Sequence, residues 1–168
     1  MHSKIRIRED KEKAMDYVFV KWLHILSSTF LFGTGLGSAW YMLFANVSRD
    51  VRAIAVVSKY VVIADWLFTA TTAIAQPATG FYMMHLAGYP ITSHWIKWSL
   101  VLYVLAGACW LPVVWLQMRL RDLAAQAARD GSELPPLYWR YFKTWVALGI
   151  PAFIAFVFIF WFMVSKPV

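Results

Sequence analysis

The sequence predicts an all-α protein, an integral membrane antiparallel four-helix bundle, and three observations carry that expectation. Of 168 residues, 61% are hydrophobic and only 15% charged, whereas soluble domains run at roughly 45–50% and 25%. Several runs of about 25 residues hold almost no charge, more than the ~18–20 that cross a hydrocarbon core. Short polar turns separate two pairs of these runs and set successive spans side by side in opposite directions. A soluble core of this size could not hide so much apolar surface, so soluble enzyme folds are excluded.

Residues 1–14 mix five basic and three acidic side chains with almost nothing to bury, and they read as a mobile tail ahead of one membrane domain over 15–168. The first span, about 17–45, is too long for a signal-peptide core and lacks a short cleavage pattern. Loop 46–56, with Arg49, Asp50 and Arg52, leads to a second span at about 57–86. Loop 87–93, with Gly88 and Pro90, leads to a third at about 94–118. Beyond it the Ala-rich stretch Arg119 to Arg129 continues helically until Asp130-Gly131-Ser132-Glu133-Leu134-Pro135-Pro136 breaks it. The fourth span covers about 142–165. Pro77, Pro112 and Pro151 fall inside spans two, three and four, where each frees a carbonyl and can kink its helix.

An even number of crossings puts both termini on one side. Loops one and three carry Arg49, Arg52, Lys59, Arg119, Arg121, Arg129, Arg140 and Lys143; the terminus side, tail aside, has only Lys21, Lys97 and Lys166. The positive-inside rule then places the loops in the cytoplasm and the termini in the periplasm, for a multi-pass protein of a bacterial inner membrane. The net charge of +7 is scattered rather than gathered on one face, which speaks against nucleic acid; the lipid bilayer is the expected partner. Trp22, Trp40, Trp66, Trp95, Trp98, Trp139 and Trp161 lie mostly near span ends and read as interfacial anchors. Cys109, the one cysteine, forms no internal disulfide and reads as a small buried hydrophobe. No Cys-x-x-Cys-His occurs, which excludes covalent c-type haem attachment.

Ionisable side chains inside hydrocarbon cost roughly 2.5–3.5 kcal/mol each on insertion scales, so each needs a partner, a cofactor or a route to the headgroups. His24, Asp65, Lys97 and Lys143 are the positions in question. Antiparallel threading puts His24, His85, His94 and Lys97 in one layer at the terminus side. It puts Asp65 near Lys143 and Arg140 at the other, where an ion pair would neutralise the carboxylate.

A helical wheel places Ser28, Leu31, Gly35, Ser38 and Met42 within about 40° of His24. Gly33 and Gly37 point nearly the other way, suited to close packing against a second helix. Thr79 and Gly80 in span two add small surface near the His24 layer. An imidazole over such a floor leaves room for something flat, and the flat group most often held by a membrane histidine is haem. On this reading His24 is the axial ligand of haem b, with Ser28, Gly35 and Gly80 lining the site. Lys97 is then a second ligand, a propionate partner, or a side chain that snorkels to the headgroups. Two other readings stand beside it: His24 as a hydrogen bonder between helices, and a metal ion shared by His24, His85 and His94, for which no Cys or carboxylate completes a usual set. Nothing matches a Ser/His/Asp triad, a phosphate-cradling glycine loop or paired catalytic carboxylates.

The opening Met15-Asp16-Tyr17-Val18-Phe19-Val20-Lys21-Trp22-Leu23-His24-Ile25-Leu26, the segment Trp95-Ile96-Lys97-Trp98-Ser99-Leu100-Val101-Leu102, and the ending from Gly149-Ile150-Pro151-Ala152-Phe153 to Met163-Val164-Ser165-Lys166-Pro167 resemble a family of small bacterial four-span membrane proteins of unknown function. The resemblance runs over about 17–168. More distantly, the same features resemble the HemJ-type protoporphyrinogen oxidases, four-span proteins that bind haem b and oxidise protoporphyrinogen IX. That resemblance implies haem binding by a first-span histidine and a third-span lysine, positions held here by His24 and Lys97. The chain departs from that pattern twice. Leu105-Ala106-Gly107-Ala108-Cys109-Trp110 stands where that family has a tyrosine-histidine pair, and Leu148-Gly149-Ile150-Pro151 where it has an asparagine-glutamate pair before the proline. Six-hydrogen oxidation of a tetrapyrrole needs proton acceptors beside the substrate, and these are the groups missing. The expectations are therefore a haem b-binding redox protein with a membrane redox partner, a protoporphyrinogen oxidase, or a non-catalytic scaffold or assembly subunit that contacts a partner or a second copy as a homo-oligomer.

Overall fold

A computed structural model describes the backbone of residues 2–167 and the side chains of residues 11–167. Four helices follow one another: α1 (His2–Ser48), α2 (Val51–Ala87), α3 (His94–Asp130) and α4 (Pro136–Ser165). No strand occurs among the described residues. The helices α2, α3 and α4 are each long and apolar enough to cross a membrane, while α1 is not among them. Its His24, its three glycines over Gly33–Gly37 and its run of Ser and Thr dilute the apolar content that the other three keep.

The helices are longer and the turns shorter than composition suggests. No break separates residues 2–14 from the rest of α1. The loop expected over 46–56 shrinks to Arg49 and Asp50. Asp50 caps α2 by accepting from the backbone N–H of Arg52 at 2.8 Å and of Ala53 at 3.2 Å, which satisfies donors that a helix start leaves orphaned. Gly88 and Gly131 take left-handed conformations, φ 69° and 62°, and stop α2 and α3 where a Cβ would be strained. α4 begins at Pro136, six residues before the expected span, because a proline at the first helical position forfeits no hydrogen bond.

α2 packs on α1 along its length and on α3 through its first half, and α3 and α4 form a pair as extensive as α1 and α2. The core lies toward the ends of these helices near the turns Arg49–Asp50 and 131–135, where Met42, Ile54, Val61, Leu116, Leu120, Tyr138 and Trp145 interlock. Farther along, α1 meets α4 through rings: Phe32 stacks on Phe153 at 5.7 Å and takes Phe160 edge-on at 5.3 Å. Outward positions stay apolar, with Ile74 74% and Val104 70% exposed, as lipid-facing surface requires.

α2 departs from a regular helix at two points. Asp65–Thr69 forms a π-helical turn, inserting one residue and rotating everything after it. Pro77 lacks the N–H that would reach the carbonyl of Ala73. Tyr103 of α3 donates its hydroxyl to that carbonyl at 2.5 Å, so the group freed by the proline is satisfied across the helix pair.

The glycines Gly33 and Gly37 do not sit in a close helix contact. A Cβ at either, or at Gly35, would meet nothing within 4 Å. The expected tight packing at Gly33 and Gly37 is thus not made within the chain.

Candidate functional site at His24

α1 and α2 hold His24 from two sides. Its ring Nδ1 lies 2.8 Å from Thr79 Oγ1. Its backbone carbonyl accepts from Gln76 Nε2 at 2.8 Å, and that amide also donates to Ser27 Oγ at 2.5 Å. Ser27 in turn donates to the His24 carbonyl at 3.1 Å. Gly80 completes the seat: the ring carbon Cε1 lies 3.5 Å from where a Cβ at residue 80 would stand, so the imidazole rests on bare backbone.

Thr79 has one hydroxyl hydrogen, and the carbonyls of its own helix, Ala75 at 2.6 Å and Gln76 at 3.2 Å, are placed to accept it. With that hydrogen on a carbonyl, the hydroxyl accepts from His24. The ring proton is then on Nδ1 and the lone pair on Nε2. A ring held through Nδ1–H with Nε2 free is the arrangement that metal-ligating histidines adopt, the acceptor behind the ring fixing both orientation and basicity.

The other expected site residues divide. Gly80 and Thr79 are in the site, as their depth suggests. Ser28 turns its hydroxyl back to the Ile25 carbonyl at 2.7 Å, and it is Ser27 that meets Gln76 of α2 beside His24. Gly35 faces open space along the same helix. Lys97 is exposed, and no side-chain hydrogen bond joins it to His24. His85 and His94 are exposed as well, His94 lying against the ring of Trp98 at 6.2 Å. Among the described residues no group of three or more His, Cys, Asp or Glu side chains could hold a metal ion, so the shared metal of His24, His85 and His94 is not formed.

The expected ion pair of Asp65 is not made either. Asp65 is 4% exposed, and Trp110 Nε1 donates to its Oδ1 at 3.4 Å. Lys143 and Arg140 are exposed. The physical reason is the packing: α2 lies mainly against α1 and α3 rather than α4, so equal depth does not bring Lys143 or Arg140 to Asp65. Gln76 escapes a search for ionisable groups because an amide carries no charge. Its signal is a polar side chain at the middle of an apolar run, just before Pro77.

A family model described as "Predicted integral membrane protein (DUF2269)" matches residues 18–167. The chain belongs to this membrane protein family, whose description assigns no activity. No curated protein and no solved structure matches the chain.

Proposed function

Starting from membership of that membrane family, we propose that this protein is a haem b-binding protein of redox type in a bacterial inner membrane, with His24 Nε2 as an axial ligand. The observation that carries the reading is the Nδ1–Thr79 hydrogen bond together with the α2 carbonyl of Ala75 within reach of Thr79's own proton. Haem iron takes a neutral imidazole, and the bound haem would supply one-electron chemistry at its iron. Gly80 lies against the ring edge, where a Cβ would stand in van der Waals contact with Cε1 at 3.5 Å. Lys97, exposed near the start of α3, suits a propionate or headgroup contact better than ligation. The distant resemblance to HemJ-type protoporphyrinogen oxidases supports the same residue pair, while the missing third- and fourth-span polar groups argue for haem binding without that oxidation.

The proposal includes a four-span antiparallel bundle. Asp65 meets Trp110 while Ala73 meets Tyr103, so residue numbers rise along α2 as they fall along α3. The basic loops near Arg49 and Arg129 are then cytoplasmic and both termini periplasmic. Purification in mild detergent and a reduced-minus-oxidised spectrum after haem supplementation test the reading. Soret and alpha bands that vanish in His24→Ala are expected. The same Thr79 bond also supports a second reading, His24 as a purely structural tie between α1 and α2 in a scaffold subunit. That reading requires a colourless protein and His24→Gln as stable as the native chain.

A further inference from the structure

Charge returns to α3 and α4 at a common level. On α3 no charged residue occurs from Trp98 to Met118, and Arg119 ends that run; on α4 none occurs from Thr144 to Ser165, and Arg140 and Lys143 precede it. Trp115 meets Tyr141 edge-on at 5.5 Å, as Tyr103 meets Phe156 at 6.4 Å farther in, so the two helices run antiparallel. The contact between Trp115 and Tyr141 then stands at the edge of the hydrocarbon zone, about one helical turn outside Thr144. From there outward a groove of about 280 Å³ opens between α3 and α4. Trp115, Tyr141 and Leu137 give it apolar walls, and Arg119 and Asp122 line its polar side.

The charges at this groove do not cancel. Asp122 is taken by Arg121, whose Nε and Nη2 reach its Oδ1 at 2.9 and 2.8 Å. Arg119 has no carboxylate partner among the described residues, and its guanidinium lies 5.5 Å from the centroid of the Trp115 ring. An arginine held over a ring keeps its edge N–H donors, whose fork matches two oxygens of a phosphate. Arg140 and Lys143, exposed and within two residues of Tyr141, add positive charge and also have no carboxylate partner among the described residues. We propose that this groove binds the headgroup of an anionic phospholipid, with the phosphodiester on Arg119 and the Trp115 and Tyr141 rings against the start of the acyl chains. Basic pockets between membrane helices receive such headgroups, and the groove lies at the depth where headgroups begin. A free anion would use Arg119 and leave the apolar walls without an occupant; an amphiphile uses both. The inference rests on the span arrangement proposed above and not on haem.

Native mass spectrometry of the full chain in detergent tests it, with titration of phosphatidylglycerol, of phosphatidylcholine with the same acyl chains, and of inorganic phosphate. The tightest phosphatidylglycerol adduct should form about fivefold more tightly than its phosphatidylcholine counterpart, and inorganic phosphate should not displace it. Arg119→Gln should weaken it about tenfold. Leu137→Trp, which fills the groove and leaves every charge in place, should weaken it comparably. Arg129→Gln, about 15 Å farther along α3, should leave it unchanged. Arg119 and Leu137 are both exposed, so either variant decides the matter if the other fails to assemble. Equal retention of the two lipids, displacement by inorganic phosphate, full affinity in Leu137→Trp, or equal weakening by Arg119→Gln and Arg129→Gln would overturn the proposal. Haem content is not read, so this outcome is separate from that of the haem assignment.

Discussion

At the His24 end of the molecule Thr79, Gln76 and Ser27 close a network in which each donor has an acceptor. At the Tyr138 end the buried hydroxyl of Tyr138 lies against the side chains of Asn46 and Ser58, enclosed by apolar neighbours. The apolar packing runs the opposite way. The interlocked core surrounds Tyr138, while the helix carrying His24 has glycines facing open space. A satisfied network in low dielectric rigidifies what it holds, and here it aims one imidazole without help from dense packing. At the other end dense packing fixes the helices and encloses the few polar groups among them.

The largest expected effect tests where packing resides. Leu120 is fully buried in the loop-side core, so Leu120→Ala should lower unfolding stability by about 2–5 kcal/mol, whereas exposed Leu36→Ala should change it by less than about 0.5 kcal/mol. Equal losses in detergent unfolding titrations would erase the contrast.

Next is the proline seam. Tyr103→Phe strands the Ala73 carbonyl and should cost about 1–3 kcal/mol. Pro77→Ala restores the missing N–H to that carbonyl, so the double variant should recover most of the loss, read from a double-mutant cycle. Additive losses would mean that the Tyr103 hydroxyl is not serving the group freed by Pro77.

Thr79→Val removes the Nδ1 acceptor at nearly constant volume. Haem affinity should fall about 10–100-fold, with Thr79→Ser close to native, measured by haem titration. An unchanged affinity would detach the network from the ligand role. The smallest effect is at the turn: Asp50→Ala should cost about 0.5–2 kcal/mol of thermal stability through loss of the α2 cap, leaving haem content unaltered.

How much of this the sequence discloses depends on which physical quantity each feature needs. Depth follows from counting along a span, which is why Thr79 and Gly80 fall beside His24 as expected. Depth does not say which helices are neighbours, and the ion pair expected for Asp65 fails because α2 packs mainly on α1 and α3 while Lys143 and Arg140 stay exposed on α4. Ser27 rather than Ser28 joins the site because a wheel centred on His24 cannot say which side of it the next helix occupies. The cap at Asp50 is legible as a residue type, yet its polar neighbours Arg49 and Arg52 disguise a two-residue turn as a longer loop. The satisfied state of Thr79, on which the tautomer rests, is a property of hydrogen positions and carbonyls that no residue pattern encodes.

The haem assignment at His24 is tested most directly by the reduced-minus-oxidised absorption spectrum of purified native protein beside His24→Ala, both supplemented with haem. The account predicts Soret and alpha bands in the native protein and their loss in the variant at equal folded yield. A native protein without either band, or a variant that keeps both, would contradict it.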